Sequence, residues 1–195
     1  IGSLRESEML RQLPPGQSRT HFLKLRIFQA RVEGVGYDLI AMGRPEGRGC
    51  YCYANDLLTS SLSLLVNEYR LVVVDNEAGM EHIARGTVAL PDLLLIVTDP
   101  GARGVRTSAR ILAAAGEIGI PRDRCGLVVN QARSPALYPL PPGLRLLATL
   151  PYDPAVERAD LEGRPVVSIP EESPLSLAVK ALSAEVLARV RLSPP

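Results

Sequence analysis

Apolar positions punctuate Phe22 to Val32 (Phe22, Leu23, Leu25, Ile27, Ala30, Val32) with the alternation of a half-buried strand. Glu33-Gly34-Val35-Gly36 turns that strand into a second one, Tyr37 to Met42. A loop rich in glycine and arginine, Gly43 to Gly49, ends in Cys50-Tyr51-Cys52. From Asn55 to Glu68, residues Leu57, Leu58, Leu62, Leu65 and Val66 fall on one helical face. The pattern then becomes regular. Leu71-Val72-Val73-Val74 is an unbroken apolar run, as expected of a strand buried on both faces. Leu93 to Val97, Gly126 to Val129 and Leu144 to Leu150 repeat it. Helical patterns lie between and after them. Arg103 to Ile118 spaces Val105, Ala109, Leu112, Ala113 and Ile118 for one face, and Leu175 to Leu192 carries a last amphipathic helix. The first twenty residues, with Pro14-Pro15-Gly16, read as a short helix and a loop. Strands alternating with helices predict an α/β fold with an open, doubly wound, mostly parallel sheet. No internal repeat or linker divides the chain, so 1–195 is read as one domain.

Composition narrows the class. The chain has 195 residues, 46% of them hydrophobic and 22% charged, with a formal net charge of +1. That hydrophobic fraction excludes a disordered chain, and near-neutrality gives no electrostatic case for nucleic acid or an anionic membrane. No apolar run approaches the roughly 18 residues of a membrane span. Ile1 to Arg11 is too charged for a secretory signal. Three cysteines make no disulfide framework, so a reducing cytoplasm is expected.

Three strand ends carry candidate chemistry. Asp75 closes the Leu71 run, where open α/β sheets bind ligands, and a carboxylate there can hold Mg²⁺ through water or cap the next helix. Gly79, in Asn76-Glu77-Ala78-Gly79, would let the backbone approach a γ-phosphate. Asn130 ends the next strand but one with an amide able to read a base edge. Pro151-Tyr152-Asp153 ends the strand after it in a turn whose backbone could do the same, although such turns are common for other reasons. Cys50 and Cys52, one residue apart, can point at one soft metal ion but supply only two of the four ligands of a tetrahedral site. Two inert thiols are the alternative. Cys125, beside an apolar strand, reads as core, and His82 reads as a helix-surface residue.

Taken in order, Met42-Gly43-Arg44-Pro45-Glu46-Gly47-Arg48-Gly49-Cys50-Tyr51-Cys52 and Val74-Asp75-Asn76-Glu77-Ala78-Gly79-Met80-Glu81-His82 resemble the CooC family. These are nickel-inserting ATPases that mature carbon monoxide dehydrogenase, relatives of MinD and of the nitrogenase iron protein within the P-loop NTPases. Arg85-Gly86-Thr87, Asp99-Pro100, Asn130, Leu150 to Asp153 and Ala159 to Gly163 fit the same pattern. The resemblance spans roughly Asp38 to Pro165 and implies a MinD-like fold that binds ATP or ADP with Mg²⁺. It assigns Asp75 to Mg²⁺, and Asn130 with Pro151, Tyr152 and Asp153 to the adenine. It makes Cys50 and Cys52 thiolate ligands for Ni²⁺ or Zn²⁺ shared across a homodimer, with carbon monoxide dehydrogenase or a related nickel enzyme as partner.

The sequence departs widely from that family, lacking both its lysine-bearing glycine-rich loop and the aspartate that the family carries soon after its second strand. Its two lysines, Lys24 and Lys180, lie outside any glycine-rich loop, and no Walker A motif occurs in the 195 residues. An N-terminally incomplete nucleotide-binding domain is expected, with negligible ATP hydrolysis by this chain alone. Two other readings remain open here: an iron–sulfur ATPase like the nitrogenase iron protein, and a non-catalytic nucleotide-binding partner of MinD/ParA type.

Overall fold

The structure, a computed structural model, describes residues 31–41, 68–76, 90–134 and 140–190, together with Gly16, Ser18 and Gln29. The predicted helix at 55–68, except its last residue, the loop at 43–49, and Cys50, Cys52, Gly79 and His82 lie outside the described residues. The chain separates into two compact units: one holds 1–75 with 87–89 and 193–195, the other 76–86 with 90–192.

In the first unit, β1 (Val32–Glu33) pairs antiparallel with β2 (Asp38–Leu39), with Val32 opposite Leu39 and Glu33 opposite Asp38. The turn falls where the glycines predict it, and the Gly34 N–H donates to the Tyr37 carbonyl at 2.8 Å. Of the strand expected over Phe22 to Val32, only Gln29, Arg31 and Val32 are among the described residues; Gln29 is helical and Val32 begins β1. The Tyr69 hydroxyl donates to Asp38 at 2.5 Å, and Arg31 lies 3.3 Å from both, fastening the segment before Asp75 to the hairpin. Leu71 to Asn76 forms no strand, contrary to the pattern, and Val73 is 83% exposed. Apolar content permits a buried strand, but only a ladder partner makes one, and no described residue pairs with this run.

The second unit is built on a parallel sheet in the order β3–β4–β5: β3 (Leu94–Thr98), β4 (Cys125–Ala132) and β5 (Arg145–Pro151). Leu94 to Thr98 pair one-to-one with Cys125 to Val129. Between β3 and β4 runs α1 (Ala102–Glu117); α2 (Pro154–Leu161) and α3 (Pro174–Arg189) follow β5. Leu127, Val128 and Val129 are fully buried, and strand alternation puts Val128 on the face opposite its neighbours, so β4 is covered on both sides. Ile96, Leu127 and Val129 join Leu112 and Ala115 of α1 in one core.

β3 is not the two-sided strand its run suggests. Ile96 and Thr98 are buried whereas Leu95 and Val97 are exposed, because α1 covers one face and no described element covers the other. The buried face of α1 also differs from the expected one: Gly104, Ser108, Leu112 and Ala115 turn inward, and Ala109 and Ala113 are exposed. Small residues decide this. A Cβ on Gly104 would lie 2.8 Å from the Asp99 carbonyl oxygen and closer still to Thr98, so only glycine lets the helix start this near the strand. Ser108 is buried without penalty, since its hydroxyl donates to the Val105 carbonyl at 2.8 Å. Gly126 plays a matching part in the sheet, leaving room for the Leu147 side chain where the β4–β5 register slips by a residue.

Candidate functional site

β4 and β5 end at a second break in their ladder. Val129 pairs with Thr149 and Ala132 with Pro151, so Asn130 and Gln131 form a bulge between the two pairs. Gln131 adopts φ 57°, a left-handed conformation that only a constrained non-glycine residue holds. The bulge lifts Asn130 out of the ladder. Its Oδ1 accepts the Gln131 N–H at 2.9 Å and keeps a second lone pair, and its NH₂ has no partner among the described residues. A half-exposed carboxamide with one acceptor site and two donors fits the mixed edge of a nucleotide base.

Pro151, Tyr152 and Asp153 lie beside that bulge, tied to it by the Tyr152 N–H, which donates to the Ala132 carbonyl at 2.9 Å. Asp153 has a second task. Its carboxylate is buried and caps α2 by accepting the Ala155 N–H at 2.9 Å, while its other oxygen accepts the Leu175 N–H of α3 at 3.2 Å. Those bonds, the one to Ala155 foremost, hold the Asp153 carboxyl below the ordinary carboxylate range. Both Asp153 oxygens thus serve helix starts, one in α2 and one in α3. Tyr152 is half-buried, and its hydroxyl donates to Glu157 in the first turn of α2, which pushes the phenol above its usual range. The guanidinium carbon of Arg133 sits 3.9 Å from the Tyr152 ring centroid.

The structure thus brings together Asn130, Pro151, Tyr152 and Asp153, four residues that the sequence places at successive strand ends. Arg133 and Gln131 join them without a sequence signal: a bulge and a cation–aromatic pair depend on register, which a single strand does not encode. Asp75 is exposed and belongs to the first unit. Asp99, just past the carboxyl end of β3, accepts the Gly101 N–H at 2.6 Å and shapes the entry to α1. Cys125 is buried in the core and its thiol donates weakly to the Pro121 carbonyl; burial pushes it above the ordinary thiol range. Among the described residues no three His, Cys, Asp or Glu side chains group to hold a metal ion, and no helix is long and apolar enough to cross a membrane.

No protein-family profile matches the chain. The uncharacterized ATP-binding protein MJ0685 of Methanocaldococcus jannaschii is 33% identical over 181 residues, 90% of this chain and 72% of that protein. The carbon monoxide dehydrogenase accessory protein CooC of Rhodospirillum rubrum is 34% identical over 139 residues, and the match spans 68% of this chain but only 52% of CooC. Among solved structures, the septum site-determining protein MinD of Pyrococcus horikoshii, complexed with Mg-ADP, superposes with a TM-score of 0.59 at 19% identity, over 95% of this chain and 80% of that one. The fold is that of the MinD-like P-loop NTPases.

Proposed function

From a chain that belongs to the family of the ATP-binding protein MJ0685 and has a MinD-like P-loop NTPase fold, we propose an ATP-dependent metallochaperone that delivers nickel to carbon monoxide dehydrogenase or a related nickel enzyme. The observation that carries the nucleotide half is the bulge at Asn130 and Gln131 abreast of Pro151 to Asp153. There a carboxamide is freed from the ladder at the carboxyl edge of a parallel sheet, where such sheets take ligands. Asn130 reads the adenine edge and the Pro151 to Asp153 backbone borders it.

The metal half is supported by similarity to CooC and by Cys50-Tyr51-Cys52. Two thiolates do not close a tetrahedral site, so a second copy of the chain supplies the same pair across a two-fold axis. Nickel is the cargo, and Zn²⁺ competes for such soft ligands. Because nucleotide and metal both favour the dimer, each strengthens the other by linkage.

Metal analysis combined with light scattering on the protein that carries this chain tests both halves. The expected result is one ion per two chains, with ion and dimer lost together in Cys50→Ala and Cys52→Ala. One ion per chain, or an unchanged dimer after both substitutions, would overturn the shared site. On the nucleotide side, ATP should bind more tightly than GTP, and Asn130→Ala should weaken ATP by about 1–3 kcal/mol, the cost of losing a buried hydrogen bond to the base. Equal affinity for the two nucleotides would contradict the adenine assignment.

A further inference from the structure

Arg133 directly follows β4 and Tyr152 directly follows β5, and the Tyr152 N–H bond to Ala132 sets them side by side at the carboxyl edge of the sheet. The ring is not free to turn away. Its hydroxyl is held by Glu157, so it forms a braced floor under the guanidinium, 3.9 Å above its centroid. Arg133 is exposed, and among the described residues its guanidinium interacts with Tyr152, over the ring and at the hydroxyl. A planar cation placed over one ring can present a face to a second flat π system, which a Lys ammonium cannot do. The flat part of a nucleotide is its base, and Asn130 lies three residues before Arg133 on the same strand end.

We propose that Arg133, braced on Tyr152, stacks on the face of the bound base, completing a ring–guanidinium–base sandwich. The proposal rests on the nucleotide-binding reading above and divides the work of base recognition. Asn130 reads the edge, which differs between adenine and guanine. Arg133 covers the face, which every base possesses, and gains more from the larger purine surface than from a pyrimidine. Arg133 therefore sets the preference for purines over pyrimidines, and it contributes nothing to holding the phosphates.

Calorimetric titration of ADP, CDP and inorganic tripolyphosphate into the protein that carries this chain tests the assignment. Arg133→Ala should weaken ADP about tenfold, weaken CDP less, and leave tripolyphosphate unchanged. Arg133→Lys keeps the charge and most of the stem yet loses the plane, so it should resemble the alanine variant toward ADP while melting like the parent. Parental ADP affinity in both variants overturns the stack. An equal loss for ADP and tripolyphosphate makes Arg133 a phosphate contact and also overturns it. A parent protein that binds neither ADP nor ATP defeats the nucleotide reading itself, and the stack falls with it.

Discussion

The Asp153 carboxylate accepts the Leu175 N–H at 3.2 Å across 22 residues of chain, while its other oxygen caps α2 at Ala155. One buried acid thereby fixes the start of two helices and the turn at the end of β5. Removing it leaves both helix starts with unsatisfied donors. Asp153→Ala should lower the melting temperature by about 3–8 °C, and Asp153→Asn, which can still cap one helix, by less. Because the carboxyl is held below its ordinary range, the unfolded chain takes up its proton first. The Asp153 contribution is present at neutral pH and fades as the pH falls below about 4. A parent and an Asp153→Ala variant that lose stability with identical slopes in acid would contradict this role.

Gly104→Ala should destabilise the second unit by about 2 kcal/mol, measured by urea unfolding. The added methyl meets the Asp99 backbone and the Thr98 hydroxyl, neither of which can swing aside as a long flexible side chain can. By contrast, Gly116→Ala in the same helix meets no atom within 4 Å and should raise stability slightly through helix propensity. Equal effects at the two positions would show that α1 does not sit against β3 as described.

Gln131 holds φ 57° at the bulge. Gln131→Gly should relieve that conformation and stabilise the fold by up to about 1 kcal/mol, whereas the β-branched Gln131→Val should destabilise it by a similar amount. Denaturant melts of the pair decide the point. A more stable valine variant would mean that the strand runs straight through Asn130.

Cys125 is packed among Leu112, Ile120 and Leu144, with its thiol pushed upward by burial. In a protein with Cys50 and Cys52 replaced by serine, iodoacetamide should label Cys125 in urea and leave it untouched in native buffer. Native labelling at the rate of a free thiol would place this residue outside the core.

Some of this architecture could be read from the sequence because its signal is local. The runs at Gly126 to Val129 and Leu144 to Leu150 are strands, and Arg103 to Ile118 and Leu175 to Leu192 are helices within a few residues of the expected bounds. The Gly34 to Gly36 turn, the α/β class and the position of Asn130 and Pro151 to Asp153 at strand ends follow from the same periods of two and 3.6. Tertiary structure alone decided what depends on a partner. Val72 and Val128 sit in equally apolar runs, yet only Val128 lies in a strand with a neighbour on each side. The inward face of α1 was set by how closely Gly104 and Ser108 let it approach, not by its most hydrophobic stripe. Likewise the Gln131 bulge, the Arg133–Tyr152 pair and the bond from Asp153 to Leu175 join residues whose proximity is a matter of register between strands and docking of helices. Periodicity reports which side of an element is apolar, and contact energies between elements choose what that side meets.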